Sequence, residues 1–248
     1  MKHNATFQHT LRILLLSCVG YIATACTHFP QTPSQEALQA MYTQAIADAK
    51  IAEPDEISKN LIAIVPSNSS LPWDEGREKI RVATWTSWNG YDGHVGKSLT
   101  LSQEVWVTIV PEVKDFCRKH ALAPAAKTLR LEQLLGLPPM NGKTRFVEMW
   151  VSPADLFRPA PDPEISDHEA EIDLPVSTRF ITVSTTHQNW FHHQMQSSYG
   201  ADGYPWTRLG YTYDWGNPID EVGLSEFVIR AGATVSIYAI ADTLEYCQ

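Results

Sequence analysis

The sequence predicts an α+β domain with a largely antiparallel sheet and a few helices, running as a single body from Ser34 to Gln248. Segments rich in β-branched and aromatic residues outnumber amphipathic helical ones. The two kinds do not alternate regularly along the chain, as a parallel βαβ architecture requires. No internal repeat is present. The 248 residues are 44% hydrophobic and 19% charged, a globular composition whose length suits one domain of the larger kind.

The elements follow in order. Ser34 caps a helix that extends to about Lys50, with Leu38, Met41 and Ile46 on its apolar face. Leu61–Val65 is a short, continuous apolar run and is expected as a buried strand. "PSNSSLPWDEG" from Pro66 to Gly76 is a loop, and "KIRVATWTSW" from Lys79 to Trp88 a strand. Leu99–Leu101 and Glu104–Val110 read as strand. Pro111 opens a helix through His120, and a second helix from Leu129 to Leu135 stops at Gly136, with Pro138 and Pro139 behind it. Phe146–Val151 and Arg179–Thr185 are expected as strands. Phe227–Ala241 reads as a hairpin turning at Ala231-Gly232-Ala233.

The first 25 residues have a different character. Lys2 and Arg12 flank an acid-free start, and "ILLLSCVGYIATA" from Ile13 to Ala25 is almost wholly apolar or small. A basic start, an apolar segment of that length and small residues at its end describe a cleaved signal peptide over residues 1–25. Ala23-Thr24-Ala25 fits the cleavage rule of ordinary secretion. With Cys26 behind it, the same stretch resembles the lipobox of bacterial lipoproteins, with Ala23 where that pattern has Leu. The resemblance implies acylation of Cys26, a lipid anchor to the membrane and a tether over residues 26–33. Thr27, in place of Asp, resembles the sorting pattern for the outer membrane facing the periplasm.

The four cysteines are Cys18, Cys26, Cys117 and Cys247. Cys18 leaves with the signal. Lipidation of Cys26 leaves Cys117 and Cys247 with a single possible disulfide, whereas ordinary secretion leaves a third thiol. A reactive Cys117 assisted by His120 is the alternative, and an oxidising compartment disfavours it.

Nineteen cations against 28 acids give a formal charge of −9, and loss of Lys2 and Arg12 makes the remainder more acidic. That balance argues against nucleic acid as a partner. "GYDGHVGKS" ends like a P-loop, but Tyr91 stands where the first Gly belongs, and the residues that follow read as strand where a P-loop needs a helix. No nucleotide and no other cofactor is expected.

Residues 190–215 hold eight aromatics among glycines and prolines. Flat apolar faces of this kind stack on sugars, so Trp190, Trp206, Arg208, Tyr211 and Trp215 are the candidate ligand contacts. "HQNWFHH" carries His187, His192 and His193 at spacings that no regular helix turns toward one metal, and no metal site is expected. The candidates for catalysis are His187 or His192 as general base with Asp214 or Glu226 behind it. The acidic run "PDPEISDHEAEID" is expected as a solvated loop. The leading expectation is an envelope lipoprotein with a non-catalytic binding domain, taking a glycan, peptidoglycan or envelope protein partner at residues 187–215. The alternatives are a cell-envelope hydrolase with a His base and a structural or assembly lipoprotein.

Overall fold

The computed structural model describes residues 33–176, 178, 182–200 and 202–248. The signal, Cys26, most of the tether and the core of the 179–185 strand expectation lie outside the described residues. Pro33–Gln248 is one compact unit, and among the described residues it has eight strands and five helices, with every strand pairing antiparallel. No described helix is long and apolar enough to cross a membrane.

Helix α1 (Gln35–Ala49) starts at the expected cap, where Ser34 Oγ accepts from Ala37 N at 3.2 Å. Its buried face is Leu38, Tyr42, Ala45 and Ala49, while Met41 points outward. Strand β1 (Ile80–Thr86), β2 (Ser98–Thr100), β3 (Val105–Ile109) and β4 (Arg145–Val151) fall on segments expected as strand. Between them lie α2 (Glu112–His120) and α3 (Pro124–Leu134). α3 begins five residues earlier than its apolar pattern, because Pro124 opens it and the Ala-rich first turn carries no hydrophobic signal. It stops at Gly136, whose φ of +62° a Cβ-bearing residue disfavours.

β5 (Leu156–Phe157), α4 (Thr185–Ser198), β6 (Tyr211–Tyr213), β7 (Val222–Ile229), β8 (Thr234–Asp242) and α5 (Thr243–Tyr246) complete the chain. Leu61–Val65 is not a strand. It is an extended, largely buried segment that donates from Leu61 and Ile64 to His168 and Ile165 but joins no ladder. Thr185 belongs to α4, where Ser184 Oγ accepts from His187 N, so the expected strand does not reach its C-terminal end.

The expected C-terminal hairpin is also corrected. The sheet order is β2-β8-β4-β1-β3-β7-β5, with β6 on β7, so β7 and β8 are separated by three strands. Each runs in the same sense as β1, and a flat sheet would hold Ile229 and Thr234 roughly 30 Å apart. The four-residue link between them spans at most about 18 Å. The sheet therefore coils until the end of β7 meets the start of β8. Gly232, at φ +86°, makes that corner, and its N–H donates to Leu101 O at 2.8 Å.

Coiling gives the sheet an inner and an outer face. Inside lies the main core, including Ile80, Val82, Val107, Met149, Phe227, Ile229, Val235 and Ile237. Outside, α2, α3 and α5 pack Val113, Cys117, Leu131 and Tyr246 on Ala83, Trp85 and Phe146. Cys117 and Cys247 form a disulfide across 130 residues, with Cα atoms 5.2 Å apart, joining α2 to the C-terminus.

Candidate functional site

The outer face is not completely covered. Between the segment after α3 and the segment after α4 it opens into a cleft of about 470 Å³. Antiparallel register places Ala83, Thr108 and Glu226 side by side across β1, β3 and β7, with Trp85 and Trp106 one step along on the same face. These five residues form the floor. Leu135-Gly136-Leu137 makes one wall, Tyr204-Pro205-Trp206 the other, and Lys143 and Phe146 stand at one side.

Each wall is fixed from behind. Thr212 Oγ1 donates to Leu134 O at 2.7 Å and accepts from Leu224 N at 2.9 Å, tying the end of α3 to β6 and β7. A Cβ on Gly223 would sit 2.3 Å from Thr212 O and 2.8 Å from Leu134 O, so this close approach needs glycine. Trp215 Nε1 donates to Leu137 O at 3.0 Å. Opposite, Tyr199 OH donates to Trp206 O at 2.6 Å, and Trp206 Nε1 donates to Pro159 O at 3.1 Å.

The five candidate ligand contacts thus divide. Tyr211 and Trp215 are core: they are 1% and 6% exposed, the first donating from its OH to Glu56 O and the second packed edge-on against Tyr42. Trp206, 4% exposed, presents one side to the cleft. Trp190 is half-buried, donates to Glu104 Oε2 at 2.8 Å and packs on Trp106 and Trp206. Arg208 does not pair with Asp214. It donates to Lys50 O at 3.0 Å and lies over the Tyr199 ring.

The proposed catalytic group is scattered. His187 is buried, its Nε2 donates to Ala160 O at 2.8 Å, and burial pushes its pKa down. His192 is exposed on the same helix. Asp214 is held by both terminal nitrogens of Arg130, at 2.8 and 2.5 Å, and accepts from Gly216 N. None of the three lines the cleft. Among the described residues no cluster of ligating side chains is arranged for a metal. In "GYDGHVGKS", Lys97 Nζ donates to Gly93 O, and strand β2 follows where a P-loop has a helix. The acidic run wraps around the buried Arg158, which donates to the carbonyls of Glu164 and Asp167.

Glu226 is different. It is half-buried and opens on the cleft floor, and its carboxyl makes no hydrogen bond or ion pair with any described residue. Desolvation alone pushes its pKa up to about 8. Glu148 lies in the same cross-strand row, three strands away by way of Thr108 and Ala83. Under α2 it receives Lys114 Nζ at 2.6 Å and faces Arg81 Nε at 3.5 Å. One row therefore holds a paired acid beneath a helix and an unpaired acid in the open cleft. Glu112, also half-buried, has its pKa raised to about 8 by desolvation as well. Its carboxylate accepts from Ile109 N and Ser225 N, where the β3–β7 ladder ends.

Two polar groups complete the site. Lys143 Nζ donates to Trp85 O at 3.0 Å, and burial lowers its pKa. Glu104 accepts from Trp190 at the rim. No family model, curated protein or solved structure matches this chain. Trp85, Trp106 and Lys143 line the cleft without a signal in the sequence that singles them out, and Tyr204 was visible only as one of the aromatics of residues 190–215. Trp85 and Trp106 sit in strands that read as ordinary core, and only their register shows that they share a face.

Proposed function

We propose that this chain is an exported envelope lipoprotein, anchored through Cys26 in the outer membrane on its periplasmic side, whose folded domain binds a glycan of the peptidoglycan type without cleaving it. The observation that carries the binding is the cleft: a concave, mostly apolar site with aromatic floor and walls and a few unspent polar groups, the usual form of a small-ligand pocket. Sugars suit such a site because their C–H faces stack on rings while their hydroxyls reach the polar rim. The export address is supported by residues 1–26 and by the Cys117–Cys247 bridge, a feature of oxidising compartments. A His base has no comparable support, since neither His187 nor His192 lines the cleft.

The test uses the full chain, purified in detergent and incubated with purified sacculi, with retained protein and released fragments both measured. Retention without release is expected. Trp106→Ala should weaken retention roughly tenfold, an aromatic face being worth about 1.5 kcal/mol. Equal retention of the variant and the wild type would remove the cleft from the proposal. Labelling with radioactive palmitate tests the anchor, and Cys26→Ser should abolish incorporation.

A further inference from the structure

We infer that Glu226 is a hydrogen-bond donor to the bound ligand, and that it makes the cleft selective for uncharged sugars bearing an amide carbonyl, such as N-acetylhexosamines. This deepens the glycan proposal and rests on it.

Glu226 is the one carboxyl on the cleft floor, flanked on the neighbouring strand by Thr108 and Trp106. A desolvated carboxyl with no partner is costly as an anion. Its environment does what it does for a carboxyl in any apolar pocket, keeping the proton on at neutral pH. A neutral carboxyl differs from a carboxylate in offering an O–H as well as accepting. A ring stacked on Trp106 would bring its substituents over this O–H, and an amide carbonyl is the strongest neutral acceptor a sugar carries.

Charge points the same way. The titratable groups that line the cleft with Glu226 are Glu104 on the loop before β3, Lys143 before β4, Tyr91 on the turn after β1, Tyr204 after α4 and Tyr213 on β6, and Glu112 of α2 sits at the adjacent Ile109 and Ser225 N–H groups with its own pKa raised by burial. Glu104 disfavours an anionic ligand. Lys143 already donates to Trp85 O, and burial lowers its pKa. Burial raises the pKa of Tyr91 and Tyr213, so neither becomes an anion as Glu226 titrates. An uncharged ligand asks least of this set.

The consequence is binding that depends on pH. Loss of the proton removes the donor and leaves a carboxylate facing the ligand's carbonyl oxygen, so affinity falls once Glu226 ionises. The experiment is calorimetry on the full chain in detergent, with the N-acetylglucosamine trisaccharide and, for comparison, the glucose trisaccharide, between pH 6 and pH 10. The wild type should prefer the acetylated trisaccharide and lose up to roughly tenfold in affinity per pH unit above pH 8. Glu226→Gln keeps an N–H donor that does not titrate, so its affinity should stay within a few-fold of the wild type at pH 6 and be flat to pH 10. Glu226→Ala should bind at least tenfold more weakly at pH 6.

A flat profile in the wild type overturns the inference. So does a fall that persists in Glu226→Gln, which would move the titration to another group, Glu112 or Lys143. Equal affinity for the two trisaccharides overturns the assigned ligand class. Binding of neither sugar at any pH is the distinct result that removes the glycan proposal itself.

Discussion

Single residues in this fold are decided by what covers them. Glu148 and Glu226 occupy one cross-strand row, yet α2 supplies Lys114 to the first, and the second faces a cleft. Glu226 therefore holds its proton in the folded chain up to about pH 8 and in the unfolded chain only up to the ordinary carboxylate range. Between those values the folded state binds more protons, so the stability this group contributes is full at low pH and is lost as pH rises toward 8. Glu112 acts with the same sign. Glu226→Gln should remove part of that decline and stabilise the protein at pH 9 by on the order of a few kcal/mol. Urea denaturation at pH 5 and pH 9 measures it. A variant no more stable than the wild type at pH 9 would mean that Glu226 ionises without penalty.

At the scale of elements, the cleft is a gap kept open by tied ends. The Arg130–Asp214 pair joins α3 to the turn after β6, with Asp214 almost completely buried and the Arg130 guanidinium also over the Phe116 ring. Removing one partner of such a pair strands a buried charge. Arg130→Ala should cost about 3 kcal/mol in urea midpoint analysis, and Arg130→Met combined with Asp214→Leu should cost less than the single change. If Arg130→Ala costs under about 1 kcal/mol, the pair is not what anchors α3. Gly223 belongs to the same junction, since any side chain there meets the backbone of β6 and the last turn of α3.

For the whole molecule, the coiled sheet and the disulfide act together. The four residues between β7 and β8 close the sheet on its inner core, and the Cys117–Cys247 bridge fastens α2 to the end of the chain over the outer face. Breaking a bridge that closes so long a loop is worth about 3 kcal/mol in a domain of this kind, which corresponds to a fall in Tm of roughly 10 °C. Cys117→Ala with Cys247→Ala, compared with the wild type with and without reductant, should show that fall. Reductant should leave the variant unchanged. A variant that melts with the wild type would mean that the helices hold the outer layer unaided.

Several features were determined by the sequence alone. β-branched and aromatic content marked β1 and β3, Ser34 marked the start of α1, and Gly136 marked the end of α3, because such signals act within a few residues. Cysteine arithmetic paired Cys117 with Cys247. The local pattern misled at the C-terminus, where turn chemistry around Gly232 resembled a hairpin. Which strands neighbour each other depends on how the sheet coils, and a turn carries no record of that. The aromatic-rich segment was visible, but most of its rings brace the walls of the cleft from behind. The floor is made by side chains of β1, β3 and β7, Trp85, Trp106 and Glu226 among them, and only pairing register brings them onto one face. Register is a property of the assembled sheet, so the site belonged to the tertiary structure to decide.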